Sequence, residues 1–194
     1  MTLLTKRLEQ ALETRIVTGT SYMGIVAWKN PLDAWVYQEL ISETRPEVIV
    51  EVGNNAGGSL LYLAHLCDLL GAGRVIGVDC DHDKIDEEVR RHGRIELVTG
   101  DAALSYPLVV DAVRGESALV IEDSSHTYEN TLSVLRLYSA LIAPGGYLIV
   151  EDGVMKTVAA AIATFLSENP AFEPDRSREW PITWNPDGFL RCRA

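Results

Sequence analysis

The most informative segment of this sequence is Val48-Ile49-Val50-Glu51-Val52-Gly53-Asn54-Asn55-Ala56-Gly57-Gly58-Ser59. It begins with a nearly continuous apolar run, which is typical of a strand covered on both faces of a parallel sheet. Gly53 then permits a sharp reversal, because a residue without a Cβ adopts positive φ at little steric cost. An apolar helical pattern starts at Ser59. The stretch therefore predicts a strand, a glycine-rich turn and a helix, as in the first unit of an α/β fold.

The glycine-rich turn also predicts a ligand. Gly57 and Gly58 would let a ligand approach the backbone where the helix begins, and the free N–H groups there favour a carboxylate or a phosphate. The loop lacks the G-x-G-x-x-G spacing of a dinucleotide site and the lysine of a Walker A loop. A tight strand-to-helix turn without any ligand is the alternative that the loop alone leaves open.

Composition narrows the class of partner and the compartment. The 194 residues carry a formal charge of −11, which argues against a nucleic-acid backbone or an anionic membrane as partner. No apolar run reaches the roughly 18 residues of a membrane span, and the first residues lack a signal-peptide core. The three cysteines fit no metal spacing, so we expect free thiols in a reducing cytoplasm. One domain over residues 1–194 is expected.

Strands and helices are expected to alternate along the chain. An amphipathic helix at 3–17, an aperiodic segment at 18–30 and a helix at 31–44 would form an N-terminal lid and substrate segment over residues 1–45. Residues 46–194 would hold the cofactor and the metal in a Rossmann-like α/β core, with a mostly parallel sheet, helices on both faces and an antiparallel C-terminal edge. The predicted strands of this core are 48–52, 74–79, 95–98, 118–123 and 147–151, and the predicted helices are 59–70, 83–92, 103–114, 128–142 and 155–167.

Acids follow nearly every predicted strand. In an open parallel sheet, ligands bind outside the carboxyl ends of the strands, at the point where the strand order reverses. Carboxylates gathered there repel one another unless a cation or hydrogen-bond donors compensate. Helix N-capping is the simpler alternative for acids that precede helical patterns, but it does not account for Glu51 or for the adjacent pair Glu151 and Asp152. The six acids are Glu51, Asp79, Asp101, Asp123, Glu151 and Asp152.

The acids near the glycine loop fit a nucleoside with a cationic tail. Asp79 ends the second predicted strand and is placed to accept both hydroxyls of a ribose, while Asp101 is placed for an exocyclic amine such as that of adenine. Gly53 and Gly57 leave room for an amino-acid-like tail beneath Glu51. This description matches S-adenosylmethionine (SAM), whose predicted binding residues are Glu51, Gly53, Asn54, Gly57, Gly58, Ser59, Asp79, Asp101 and Ala102.

A second group of acids predicts a metal site. Asp123, Glu151 and Asp152 come from neighbouring strand ends and offer only oxygen donors, which suits a hard cation such as Mg²⁺ with open water positions. His126, with an unperturbed pKa of about 6.5, or Asp123 could take a proton from a substrate hydroxyl at neutral pH. A cap or a surface residue is the common alternative for a lone histidine at a helix start, and only the acidic neighbours disfavour it. His82 lacks such neighbours and is expected to be solvated.

With these residues in place, the chain resembles the cephalosporin hydroxylase family of class I methyltransferases, which is related to macrolide-sugar and rhamnosyl O-methyltransferases. The similarity runs from about Tyr22 to Cys192 and is specific only when its segments are taken together. Residues 29–39 resemble the family's K-x-P-x-D-x-W-x-Y-Q-E helix, 51–60 its E-x-G-x-x-x-G-G-S-L loop, 123–126 its D-x-x-H segment, 149–152 its I-x-E-D segment and 187–191 its closing strand.

The resemblance implies a SAM-binding fold, a Mg²⁺ ion held by Asp123, Glu151 and Asp152, and methyl transfer to the oxygen of a small natural product or a sugar. In the predicted mechanism the metal lowers the pKa of the acceptor hydroxyl, and His126 or Asp123 removes its proton. The chain is short for the family, so a substrate-covering insertion is expected to be missing. The segment Asp81-His82-Asp83 departs from the family pattern, so the resemblance does not assign ribose contacts to the residues that follow Asp79. A single histidine beside the acids is too few for an iron facial triad.

Two other functions stay open at this point. A cofactor-binding subunit without turnover is disfavoured because the chain keeps every member of the expected metal cluster. A catechol-type methyltransferase shares the magnesium chemistry but usually has Asn where this chain has Asp152. The helix at 3–17 lies outside the expected core, which points to self-association as a homo-oligomer.

Overall fold

The computed structural model describes residues 19–193 together with Lys6 and Gln10. The predicted helix at 3–17 therefore lies outside the described residues, apart from those two positions. Within the described part of the chain no helix is long and apolar enough to cross a membrane.

A seven-stranded sheet organises the fold. Its order is β5-β4-β3-β6-β7-β9-β8, and all neighbours from β5 to β7 are parallel. Because β3 lies between β4 and β6, the strand order reverses beside it, and ligands of open α/β sheets bind at that point. The strands are β3 (Val48–Val52), β4 (Arg74–Asp79), β5 (Ile95–Thr99), β6 (Ala118–Glu122), β7 (Tyr147–Val150), β8 (Phe172–Pro174) and β9 (Phe189–Cys192).

The central strand is buried on both faces, as its apolar run predicts. All five residues of β3 are buried. Val48, Val50 and Val52 belong to one hydrophobic core, and Ile49 belongs to the core on the opposite face, because successive side chains of a strand point to opposite sides. The predicted strand positions are correct to within one residue, and the predicted α/β class is confirmed.

Helices cover both faces of the sheet. Their bounds are α1 (Pro31–Thr44), α2 (Gly58–Leu70), α3 (Glu87–Arg91), α4 (Tyr106–Val113), α5 (Tyr128–Tyr138) and α6 (Lys156–Glu168). Residues of α1, α2 and α3 fill one core, and residues of α4, α5 and α6 fill the other. The predicted helix at 83–92 is too long: Asp86 caps α3 by accepting from the N–H of Glu88, so the helix starts only at Glu87.

A small hairpin lies where the sequence shows no periodicity. Its strands are β1 (Ser21–Tyr22) and β2 (Ile25–Val26), which pair antiparallel. The hairpin packs directly on the first turn of α2, where a Cβ on Gly58 would lie 2.5 Å from the carbonyl oxygens of Ile25 and Val26. Gly58 is therefore required by a close approach of two backbones, and the hairpin is fixed against the core.

The C-terminal edge is antiparallel, as predicted. Strand β9 pairs antiparallel with both β7 and β8. The loop at 179–188 returns from β8 to β9 and passes beside the carboxyl end of β7, where the Val154 N–H donates to the Trp184 carbonyl at 3.2 Å. This loop thereby brings residues from the end of the chain to the ligand-binding side of the sheet.

Candidate active site

A cavity of about 640 Å³ opens at the carboxyl ends of the parallel strands. Loops that follow β3, β4, β5, β6 and β7 all contribute to its wall, so it lies at the predicted reversal of strand order. Its volume is in the range of sites for small molecules and cofactors. The predicted site residues that line it are Gly53, Asn54, Ser59, Asp79, Asp101, Ala102, Asp123, His126 and Asp152.

Gly53 is required by the neighbouring strand end. Its φ is 90°, and a Cβ there would lie 2.0 Å from the carbonyl oxygen of Asp123. The turn is then held by Asp79, whose Oδ2 accepts from the N–H groups of Asn54 at 2.7 Å and Asn55 at 3.4 Å. The end of β4 thus fixes the loop that follows β3.

Three predicted cofactor residues lie outside the cavity wall, and the structure assigns them other contacts. Gly57 has φ 86° and faces the side chains of Ile85 and Val89, while Gly58 lies under the hairpin. Glu51 is fully buried behind Ser59, whose Oγ donates to it at 2.8 Å. Protein atoms occupy the Cβ side of both glycines, so a ligand contact at Gly57 or Gly58 stays a prediction.

The acids beside the glycine loop differ in their contacts. Asp79 and Asp123 are not the N-caps of the helices that follow, since Asp86 caps α3 and Thr127 caps α5. The capping alternative is therefore wrong for both. Asp101 does behave as a turn cap, because its Oδ1 accepts from the N–H groups of Ala103 and Leu104, each at 3.0 Å.

The expectation that His82 is solvated is wrong. The residue is only 6% exposed and bridges two strand ends. Its Nδ1 lies 2.8 Å from Thr99 Oγ1 and its Nε2 lies 3.1 Å from Asn54 Oδ1. Burial lowers the pKa of His82, so the neutral ring is favoured in this position. His82 therefore supports the loop after β3 from the side of β5.

The second group of acids converges on His126. Its Nε2 lies 3.2 Å from Asp123 Oδ1 and 3.1 Å from Asp152 Oδ2. The candidate ligand atoms of these three residues all lie within 4.8 Å of one another. The hydrogen bond to Asp123 raises the pKa of His126, and the charge of Asp152 acts in the same direction. The structure thus brings together two of the three predicted metal ligands and the predicted base.

Glu151, the third predicted ligand, is turned toward a residue that our sequence interpretation did not include in the site. Its Oε1 accepts from Lys29 Nζ at 2.5 Å. The same ammonium bonds Asp123 Oδ2 and lies 3.2 Å from Glu51 Oε1. Lys29 is nearly buried, with 9% of its side chain exposed. The only signal in the sequence was its position in the K-x-P-x-D segment, since the acids it meets lie at least 22 positions away.

A polar chain behind the cavity supports Asn130. The buried Glu122 accepts at Oε1 from Ser124 Oγ at 2.7 Å and from Thr131 Oγ1 at 3.3 Å. Ser124 Oγ in turn accepts from Asn130 Nδ2 at 2.6 Å. Burial raises the pKa of Glu122 to about 7. Ser124 and Asn130 line the cavity, so Glu122 contributes to the site through them.

Apolar side chains form the wall beside the acids. Trp28, Met155 and Trp184 line the cavity there. From the predicted lid segment, Ala27 and Trp28 line the cavity, whereas Met23 is 70% exposed and lies outside the lining. Closure of this segment over a substrate stays a prediction. Met155 and Trp184 were missed because their proximity depends on the loop at 179–188.

Helix α1 holds that loop in place. The buried Asp33 accepts from Thr183 Oγ1 at 2.6 Å and from the Trp184 N–H at 2.9 Å. The Asn30 side chain donates to the Ile182 carbonyl at 3.1 Å. The N-terminal helix therefore positions a wall of the cavity, in keeping with the predicted substrate segment.

Four non-glycine residues in the cavity wall have positive φ. They are Trp28 at 47°, Asn55 at 46°, His126 at 55° and Asp152 at 55°. This region is sparsely used by residues with a Cβ, and such conformations persist only where surrounding contacts enforce them. Four of the eight non-glycine residues with positive φ in the described part of the chain thus lie in the wall of this one cavity.

A family model and the most similar relatives that were compared point to the same protein family. Residues 14–193 match the family model described as Rhamnosyl O-methyltransferase/CmcI. Rhamnosyl O-methyltransferase from Mycobacterium tuberculosis (H37Rv) is 31% identical over 193 residues, covering 89% of this chain and 78% of the relative. The protein of the same name from Mycobacterium leprae is 29% identical over 188 residues, covering 88% of this chain and 82% of the relative.

Solved structures share the fold. CmcI with Mg and SAM superposes with a TM-score of 0.76 at 24% identity, covering 90% of this chain and 77% of that chain. An apo structure of CmcI gives a TM-score of 0.72 at 26% identity, covering 90% and 76%. The O-methyltransferase NovP gives 0.63 at 15% identity, covering 99% and 98%. These likenesses confirm the predicted Rossmann-like arrangement of sheet and helices.

Proposed function

Because the chain belongs to the rhamnosyl O-methyltransferase/CmcI family, we propose that it is a SAM-dependent, magnesium-dependent O-methyltransferase acting on a hydroxyl of a sugar or a small natural product. The predicted family is thereby confirmed. The observation that carries the proposal is a single cavity that joins the glycine loop and Asp79 to the cluster of Asp123, His126 and Asp152. A methyl donor and a hydroxyl acceptor need such adjoining sites, because transfer requires the two reacting atoms to be in contact and aligned.

The residues of the glycine-loop end fit SAM. In the described part of the chain Asp79 uses only Oδ2 for hydrogen bonds to protein, which leaves Oδ1 to accept from ribose hydroxyls. Asp101 and Ala102 line the adjoining wall where the adenine would lie. Glu51 lies behind the cavity wall, where its Oε1 is 3.2 Å from the Lys29 ammonium and its Oε2 accepts from Ser59 Oγ at 2.8 Å. We therefore propose that Glu51 acts on the amino-acid tail of SAM through Ser59, which lines the cavity.

The residues of the other end fit a magnesium ion. Mg²⁺ is usually held by one or two carboxylates together with several waters, and Asp123 with Asp152 offers that donor set. We propose that Glu151 completes the set, as the sequence interpretation predicts. When bound, SAM supplies an electrophilic methyl group and the cation supplies Lewis-acid polarisation of the acceptor oxygen.

The protein's own contribution is to hold the acceptor, remove its proton and exclude water. The proton is taken by His126 Nε2 or by an oxygen of Asp123, which lie 3.2 Å apart at the cavity wall. Trp28, Met155 and Trp184 cover this end with apolar surface, and a dry site strengthens the electrostatic interactions within it. The positive φ of His126 is a backbone conformation that surrounding contacts must support, and its ring is held by Asp123 and Asp152 at 3.2 and 3.1 Å.

We also propose a compartment and a class of partner for the protein. Cys67 and Cys192 are buried free thiols, in keeping with a reducing cytoplasm. The formal charge of −11 disfavours nucleic acid and anionic membranes as partners. Self-association through the predicted helix at 3–17 stays a prediction, since that segment lies outside the described residues.

The test is a binding and turnover assay on the purified protein. Calorimetry is expected to show binding of SAM and its demethylated product, and no binding of NAD or ATP. Transfer of a labelled methyl group to a panel of rhamnosides, other sugars and phenols is then measured with Mg²⁺ or with chelator. NAD binding without SAM binding would refute the cofactor assignment. Turnover that chelator leaves untouched would remove the metal from the mechanism.

A further inference from the structure

The side chain of Lys29 lies among the carboxylates of the acidic site. The Lys29 ammonium contacts Asp123, Glu151 and Glu51, and these partners come from the ends of β6, β7 and β3. All three acids are more than three-quarters buried in their side chains, at 20%, 9% and 0% exposure respectively. A buried ammonium needs such partners, and the acids in turn need a cation, because burial penalises every unpaired charge.

Lys29 uses carboxylates that the proposed magnesium site also needs. Asp123 and Glu151 are two of the three predicted metal ligands, and both bond the ammonium. Asp152, the third, faces His126 instead. One cation of unit charge thus already satisfies part of the donor set, and a second cation cannot share those oxygens without repulsion.

The backbone of Lys29 is fixed on both sides. Its N–H donates to Thr20 Oγ1 at 3.1 Å, and the next residue, Asn30, caps α1 by accepting from the Leu32 N–H at 3.1 Å. The lysine side chain is the flexible part, with four rotatable bonds between this anchored backbone and the ammonium. The ammonium can therefore leave Asp123 while the hairpin and the helix stay in place.

We propose that Lys29 is a built-in competitor of the divalent cation. Its ammonium neutralises the acid cluster when the metal is absent, and metal binding displaces it from Asp123 and Glu151. The inference rests on the magnesium site of the proposed function. It predicts that the protein binds Mg²⁺ more weakly than the same acids would without the lysine, because part of the binding energy is used to expel the ammonium.

Calorimetric titration with MgCl₂, without SAM, tests this on three variants and the parent protein. Lys29→Met removes the charge and keeps an unbranched side chain that is one atom shorter, so Mg²⁺ should bind about tenfold tighter, within the usual range for coupled sites. Lys29→Arg keeps the charge and should bind Mg²⁺ no more tightly than the parent. Lys156→Met removes an exposed lysine at the start of α6 and should match the parent. Mg²⁺ should also raise the unfolding temperature more in Lys29→Met than in the parent.

Removing the Lys29 charge leaves buried acids unpaired, and the single variant could fail to fold for that reason. A double variant keeps the proposal testable in that case. Lys29→Met with Glu51→Gln removes one positive and one negative charge and leaves Asp123 and Glu151 free for the metal. This double variant should also bind Mg²⁺ about tenfold tighter than the parent. Equal or weaker Mg²⁺ binding by both Lys29→Met variants would overturn the competitor role while leaving the proposed function intact. Failure of the parent and of all variants to bind Mg²⁺ would overturn the metal site and the competitor together.

Discussion

The backbone N–H of Asp152 donates to the side-chain oxygen of Asn185 at 3.1 Å. Asn185 is 1% exposed, and its Nδ2 donates to Tyr37 Oη at 3.0 Å. Asp152 has φ 55°, a conformation that needs support from its surroundings. Helix α1 therefore fixes a predicted metal ligand through a single buried amide, although Tyr37 and Asp152 lie on different elements.

We expect Asn185→Ala to lower the free energy of unfolding by about 1–3 kcal/mol, since buried partners lose their hydrogen bonds. The stabilisation by Mg²⁺, measured as the shift of the thermal midpoint, should also shrink because Asp152 is no longer held. Tyr37→Phe removes the acceptor of the Asn185 amide and also the hydroxyl's hydrogen bond to Glu151, and it should cost about 1–3 kcal/mol. Asn169→Ala, which removes a local bond to the Ala171 N–H beyond α6, is the control. An unchanged Mg²⁺ response in Asn185→Ala would contradict the positioning role.

Asp79 is the residue expected to accept hydrogen bonds from the ribose hydroxyls of SAM. Asp79→Asn keeps an oxygen to accept from the N–H groups of Asn54 and Asn55, so the loop should stay in place. The variant loses the negative charge that would accept hydrogen bonds from the ribose hydroxyls. SAM should therefore bind about 10- to 100-fold more weakly, which is the usual contribution of hydrogen bonds to a charged acceptor. Calorimetry measures the dissociation constant, with Asp81→Asn on the same loop as control. A dissociation constant equal to that of the parent would reject Asp79 as the ribose ligand.

The burial of the His82 ring predicts that the free energy of unfolding depends on pH. Burial lowers its pKa in the folded protein, while Asp79 and Asp81 act to raise it and Arg90 acts to lower it. Below about pH 6.5 the unfolded chain therefore binds a proton before the folded chain does, and stability is lost as the pH falls. Above that pH the contribution is fully present.

The measurement is denaturant unfolding at several pH values from 8 to 5 on the parent and on His82→Gln. The difference in unfolding free energy between the two should shrink as the pH falls below about 6.5. Thr99→Val removes the hydroxyl beside Nδ1 but leaves the titrating ring, so it should keep the pH dependence of the parent. A difference between parent and His82→Gln that stays constant with pH would show that His82 titrates alike in both states.

The sheet could be predicted from the sequence because each central strand is a short apolar run bounded by turn residues. β3 and β6 are buried along their whole length, so their signal is local and strong. The hairpin of β1 and β2 was missed since two-residue strands show no alternation. Its position depends on Gly58, because only a residue without a side chain lets the hairpin backbone approach so closely. The sequence shows the glycine, but it does not show which backbone packs against it.

The site was predictable to the extent that its residues stand at strand ends. Asp79, Asp123 and Asp152 reach the cavity because parallel strands end together, and Gly53 is required where two of these ends meet. Lys29 could not be assigned to the site, since its burial depends on acids that meet only in the folded chain. Glu151 meets Asp123 through that lysine, whose ammonium contacts both carboxylates.

The role of His126 in proton removal is the last prediction. His126→Asn is the appropriate variant, because Asn tolerates the positive φ of 55° better than Ala and so spares the backbone. It removes the Nε2 that lies between Asp123 and Asp152. Turnover should fall roughly 10²- to 10⁴-fold, the usual contribution of general acid–base catalysis, while SAM affinity stays unchanged.

Steady-state turnover and calorimetry on the same preparation separate the possible roles of His126. His92→Asn is the matched control, since that ring pairs with Asp68 near the C-terminal end of α2 and neither residue lines the cavity. Loss of SAM affinity in proportion to turnover would make His126 a scaffold residue, because a base acts only on the acceptor. Full turnover in His126→Asn would assign proton removal to Asp123 or to water, and His126 would then serve only to hold the two carboxylates together.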